Sequence, residues 1–195
     1  MIIRSIHALS DLIARCEGLA LRALVLVLPV MVLINVTGRA FRSPIYWMDE
    51  LAVLSMCWLA IIGMSLTLKT RDAVAVTMVQ DALPPRLTKL LRVLSDTIVL
   101  GFAIALVVFC YLWFDPLLLV KVDFDLKAFA AQSFNYVYDE PTSTLGVPMF
   151  WFWLIVPVAA CTCAVHALSN LLRTLLQQPA APASDSPIAS SGADT

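Results

Sequence analysis

Apolar positions along this chain gather into four long runs, and the clearest is Leu51 to Leu68, without a charge for about 18 residues. At roughly 1.5 Å of rise per residue such a helix covers most of a hydrocarbon core about 30 Å thick. Trp47, Asp49 and Glu50 stand before it, and Lys69 and Arg71 follow it. An indole favours the headgroup region and carboxylates favour the positive pole of a helix, so the pattern predicts a membrane helix with marked ends. Three more spans are predicted, over about 19–37, 90–114 and 149–168. Arg22 in the first is able to reach back to the interface, Pro29 is a kink point, and Asn35 requires a hydrogen-bond partner. Trp151 and Trp153 open the last span, which is uncharged and contains Pro157.

The flanking patterns differ. Over residues 2–17, Ile2, Ile3, Ile6, Leu9, Ile13 and Cys16 recur at three- and four-residue spacing, with Arg4, His7, Asp11 and Arg15 mostly opposite. This predicts an amphipathic helix lying in the interface. Because Arg22 interrupts the apolar stretch that follows, the segment reads as retained, not as a secretory signal. The connection over 115–147 is long, and from Val120 to Lys127 apolar and charged residues alternate strictly, as in an extended half-buried strand. Phe129, Phe134, Tyr136 and Tyr138 add aromatic surface. Two readings stay open for this loop: a docking element for another protein, or a cap on its own bundle or in the interface. Residues 177–195, rich in Pro, Ala and Ser, are expected to be a disordered cytoplasmic tail. The predicted fold is therefore an all-α integral membrane domain over 1–176, with four transmembrane helices and an N-terminal amphipathic helix.

Composition agrees: 61% of residues are hydrophobic and 14% charged, where soluble domains carry about a quarter charged. Threading the spans alternately puts Arg4, Arg15, Arg22, Lys69, Arg71, Arg86, Lys89, Arg92 and Arg173 on one side. Arg39, Arg42, Lys121 and Lys127 fall on the other. The excess of cations predicts that both termini are cytoplasmic. A net charge of -1 gives no nucleic-acid surface.

Candidate chemistry is sparse. The five cysteines lie in apolar or amphipathic stretches, and Cys161 and Cys163, two apart on a helix, point away from each other. They read as packing thiols, which argues against a thiol-disulfide oxidoreductase. The two histidines do not make the facing pairs of a haem bundle, and no phosphate loop, zinc spacing or other cofactor motif is present. Asp96 is the one carboxylate drawn inside a predicted span. It reads either as an ion-conducting acid or as a local partner of Arg92, one turn away. An ion-conducting Asp96 supports the alternative of a self-contained four-helix transporter or channel, although the spans hold few polar groups to line a path. Arg39 and Arg42 are expected near Asp49 and Glu50, pairing the first two helices locally or reaching a partner. Ser55, Gly63, Ser65 and Thr67, with Gly101, Ala103 and Ala105, offer small residues for close helix packing.

Taken in order, Arg39, Trp47-Met48-Asp49-Glu50, Gly63, Lys69-Thr70-Arg71 with Val74 and Val76, and Thr142 to Pro148 resemble the small membrane subunit of tripartite ATP-independent periplasmic (TRAP) transporters, the DctQ-like family. The resemblance spans about residues 15–175. It implies a non-catalytic inner-membrane scaffold subunit without cofactors that pairs with a large multispanning membrane subunit. A periplasmic solute-binding protein then delivers an organic acid, taken up by ion-gradient-driven symport, commonly with sodium. Many members carry a glycine and a histidine beyond the second span, where this chain has Arg71 and Ala73, so a role tied to that histidine does not carry over. The 115–140 loop is also longer than usual. The residues singled out for subunit contact or helix ends are Arg39, Arg42, Trp47, Asp49, Glu50, Gly63, Lys69 and Arg71.

Overall fold

The computed structural model describes residues 2–70 and 84–176; Arg71, Val74, Val76 and the tail predicted as disordered lie outside them. Helix α1 runs unbroken from Ile2 to Ala40. The amphipathic segment and the first span are therefore one helix, and the predicted separation near residue 18 is absent. Gly18 is the only weak helix former at that junction, and a single interior glycine costs about 1 kcal/mol. A helix of 39 residues is about 58 Å long, so its first part extends well past one hydrocarbon thickness.

The turn after α1 is set by Gly38, because a Cβ there would stand 2.8 Å from the Ser43 carbonyl oxygen. Ser43 N–H closes the turn on the Gly38 carbonyl at 2.9 Å, and Arg42 takes a left-handed conformation with φ 59°. Helix α2, Tyr46–Thr70, starts directly after it. Helix α3, Pro85–Phe114, begins with proline at its first position, where the missing N–H costs no helix bond. Two short helices follow, α4 over Pro116–Lys121 and α5 over Leu126–Ser133. Helix α6, Phe150–Trp153, leads through Leu154 into α7, Ile155–Leu176. Among the described residues, four helical segments are long and apolar enough to cross a membrane. This is an all-α, multi-pass membrane fold.

Helix α7 is the hub: α1 and α2 pack on it and on each other, while α3 packs along another side of it. A third of its apolar window is buried (33%) against 6% for α1, so α1 keeps most of its surface outside the bundle. Small side chains let the helices approach where α3 meets α7, around Ala103, Cys163 and Ala167. A Cβ placed at Gly101 would meet nothing within 4 Å and one at Gly63 only a Leu21 methyl at 4.0 Å, so neither glycine is needed for a close approach here.

The 115–147 connection departs from the predicted strand. Among the described residues it is helical and turned, with one isolated bridge between Pro141 and Pro148. Asp115, in a left-handed conformation, donates its N–H to Tyr111 to end α3, and its side chain accepts from Leu118 N–H to start α4. Asp125 caps α5 in the same way, through Lys127 and Ala128 N–H. These aspartates supply local helix starts that a two-residue period does not register. Leu118, Leu119 and Val122 turn inward at helical spacing onto Phe114, Phe129 and Val137, whereas Val120 and Phe124 face out. The inner side of the loop packs as a cap on its own bundle. Tyr138 fastens it, donating to the Phe114 carbonyl at 2.7 Å, and Asn135 donates to the Trp113 carbonyl at 2.5 Å.

Candidate functional site

Polar side chains concentrate at the two ends of the bundle. At the capped end, Asp49 in the first turn of α2 joins α1 to α2: Asn35 Nδ2 donates to one carboxylate oxygen and Arg39 Nη2 to the other. The Arg39–Asp49 pair forms as expected, but both side chains are half exposed, and such pairs contribute at most about 1 kcal/mol. Arg42 lies in the exposed turn beyond α1. Trp47 is 46% exposed at the head of α2, as a headgroup anchor requires.

Glu50 does something the predicted ion-pair belt did not anticipate. Its carboxylate accepts the N–H groups of Ser143 and Thr144 at 2.6 Å, that of Leu145 at 3.1 Å, and the Thr144 hydroxyl at 2.6 Å. Three successive backbone N–H groups converging on one anion make a nest. The loop is preformed for this by Thr142, which pairs with Val147 through backbone and side chain, and by Gly146 at φ 70°. Glu50 thus fixes the segment that enters α6 and α7 onto the head of α2. Trp58 adds a second tie between the same elements, donating Nε1–H to the Phe152 carbonyl at 2.9 Å.

At the end carrying the termini, a larger network connects α1, α2 and α7. Lys69 donates to Ser10 at 2.8 Å and pairs with Asp11 at 2.7 Å. Ser10 Oγ lies 2.8 Å from His166 Nδ1, and His166 Nε2 lies 3.2 Å from Glu17. The second Glu17 oxygen accepts from Ser65, whose hydroxyl also meets Thr162 at 2.9 Å. One direction of donation satisfies the whole chain: Lys69 to Ser10, Ser10 to His166, His166 to Glu17, and Ser65 to the same carboxylate. Ser10, Ser65 and His166 are fully buried. His7 meets Ser169 at 2.7 Å, and Asn170 donates to the Leu68 carbonyl at 2.8 Å.

Of this network Lys69 was singled out in the sequence as a structural position and Ser65 as a small residue for helix packing, and the roles of Glu17, Ser10 and His166 were missed. The signal was a polar stripe at helical spacing: Ser10 and Glu17 seven apart on α1, Ser65 and Lys69 four apart on α2, Thr162 and His166 four apart on α7. Asp96 lies elsewhere, on α3, where it accepts the Thr174 hydroxyl of α7 at 2.6 Å.

These features define a class: a small multi-pass helical membrane protein whose ionisable groups tie its own helices together at the two ends of the bundle. The chain belongs to the DctQ component family of tripartite ATP-independent periplasmic transporters, whose family model matches residues 28–177. No curated protein matches it. It is thus the small membrane component of such a transporter.

Proposed function

We propose that the chain is the accessory scaffold subunit of its transporter. It pairs with a large multispanning membrane subunit for ion-gradient-driven uptake of an organic acid, which a periplasmic solute-binding protein delivers. It sits in the bacterial inner membrane with both termini cytoplasmic, as the distribution of lysines and arginines favours. The observation that carries the scaffold role is the use of its charged groups: Asp49, Glu50, Lys69 and Glu17 each hold one element of the bundle onto another. Groups committed to tying helices together suit a rigid support, whereas a transport path needs polar groups that exchange partners with the cargo.

The test is gentle affinity purification of this chain from its native membranes into nanodiscs, followed by mass spectrometry. A stoichiometric partner with many more spans is the expected result. A homo-oligomer, isolated repeatedly under conditions that preserve membrane complexes, overturns the proposal.

A further inference from the structure

We propose that the outer face of the 115–147 cap is a lipid-binding surface. Leu117, Val120, Phe124 and Phe134 lie in the headgroup–acyl boundary of the leaflet at the capped end, so that the loop is held by lipid from outside and by the bundle from within. Such seating needs only the membrane fold and is independent of the scaffold role.

The depth of the cap follows from α3. Thr97 to Phe114 carries no charge over about 18 residues, which at roughly 1.5 Å each covers nearly all of a hydrocarbon core about 30 Å thick. Trp113 therefore stands at the boundary, where indoles concentrate, and its ring meets that of Trp153, from the start of the last span, edge-on at 5.6 Å. Two spans thus place tryptophan at one level. Asp115 alone separates Phe114 from α4. Further along the loop, Asn135 is bonded to the Trp113 carbonyl, which keeps the neighbouring Phe134 at the same level.

From Pro116 to Val120 helix α4 holds no polar residue. Leu118 and Leu119 pack inward, with Val122, on Phe114, Phe129 and Val137. Leu117 and Val120, one turn apart, remain 69% and 60% exposed, and Phe124 in the turn after α4 is 66% exposed. A helix resting on a bundle in water keeps a polar outer face, whereas one that is apolar on both sides is buried on both. Helix α3 exposes Phe102, Phe109 and Leu112 in the same way, and on a span such residues face acyl chains. Phe124 and Phe134 take left-handed conformations, φ 61° and 53°, in the turns that close α4 and α5, positions that glycine or asparagine ordinarily fill. The Phe134 ring, 83% exposed, has no place in the core of the cap, but in the boundary it gains burial. Tyr136, also exposed, combines the apolar ring and polar tip that suit the same zone. Lys121 and Lys127, exposed on either side of Phe124, are long enough to hold their ammonium groups among lipid phosphates.

The experiment places a photo-crosslinking benzoylphenylalanine at Leu117, Val120 or Phe124 in native membranes holding all subunits. Phe102 on α3 is the lipid-facing reference, and Asp139 is the exposed, charged reference within the cap. Phospholipid adducts at the three cap positions, as at Phe102 and unlike Asp139, are expected on mass spectrometry. Adducts to another protein at those positions, or lipid adducts no more abundant than at Asp139, overturn the proposal. The unmodified chain gives a second measurement, which decides where a substituted chain fails to accumulate. With methyl-labelled leucine and valine in phosphatidylcholine nanodiscs, the Leu117 and Val120 methyl signals are expected to broaden with lipid spin-labelled high on its acyl chain and to be spared by a water-soluble gadolinium chelate. Broadening by the chelate with none from the labelled lipid overturns the seating.

Discussion

Glu50 at the head of α2 and Thr144 in the loop before α6 are joined by two hydrogen bonds of 2.6 Å, one from the backbone N–H and one from the hydroxyl. With Ser143 and Leu145 N–H on the same carboxylate, one side chain sets where the last membrane segment enters the bundle. Glu50→Ala removes the anion and leaves three N–H groups facing a gap. The expected outcome is faster amide hydrogen exchange at residues 143–145 and lower uptake through impaired complex assembly, with substrate choice unchanged. Glu50→Gln, which keeps one acceptor oxygen, is expected to fall between. Unchanged exchange, an unchanged complex and unchanged uptake in Glu50→Ala would count against the role given to Glu50.

The Glu17–His166 contact gives a second prediction. Removing one member of a buried charged or polar pair leaves the other desolvated and unpaired, at a cost of about 3–5 kcal/mol. Glu17→Ala and His166→Ala are each expected to lower the thermal stability of the chain in nanodiscs markedly. The double variant Glu17→Ala/His166→Ala is expected to lose less than the sum of the two single losses, because neither member of the pair remains to be stranded. Strictly additive losses, measured by thermal unfolding, would show that the two residues do not act as a pair.

The four spans were legible in the sequence because apolar run length against bilayer thickness is a strong constraint, and Leu51–Leu68 with its Trp, acids and cations showed it most clearly. The Arg39–Asp49 pair was also legible, since a short turn separates its members. What was not legible depended on contacts distant in the sequence. Glu50 finds its donors 93–95 residues away in backbone N–H groups, which no residue type announces. Glu17 lies 149 residues from His166, and neither has a local partner to mark it. The cap at 115–147 was misread because alternation of apolar and charged residues outweighed two aspartates in helix-starting positions. Asp115 and Asp125 decide that segment, through hydrogen bonds to the first N–H groups of α4 and α5.

Tyr138 connects the cap to proton concentration. Burial, with Asp115 nearby, pushes its phenol above its ordinary value of about 10. A raised value means that the folded cap holds this proton more tightly than the unfolded chain does. The resulting stability is fully present below pH ~10 and is lost as pH rises above that value. Circular dichroism and exchange of cap amides between pH 8 and 11 are expected to show loosening at the alkaline end. Tyr138→Phe is expected to flatten that dependence, while costing about 1 kcal/mol at neutral pH for the lost hydrogen bond to Phe114. An unchanged alkaline profile in Tyr138→Phe assigns the loosening to another group.

Asp96 separates a supporting role from a conducting one. Its carboxylate accepts the Thr174 hydroxyl at 2.6 Å, and Thr174, itself buried, also lies 3.1 Å from the Asn170 carbonyl. Asparagine at position 96 keeps an oxygen that accepts the same hydroxyl but removes the charge, so Asp96→Asn tests charge alone. If Asp96 only joins α3 to α7, both the amount of complex and the uptake rate in Asp96→Asn stay within about twofold of the parent, a change below 0.5 kcal/mol. Asp96→Ala deletes the acceptor, Thr174 turns to Asn170, and the α3–α7 contact weakens by about 1 kcal/mol, read as a lower amount of complex with uptake per complex unchanged. A conducting carboxylate behaves in the opposite way, because ion coupling fails when the charge is lost. Abolished uptake in Asp96→Asn with the complex intact would therefore move this chain from the scaffold to the transport path.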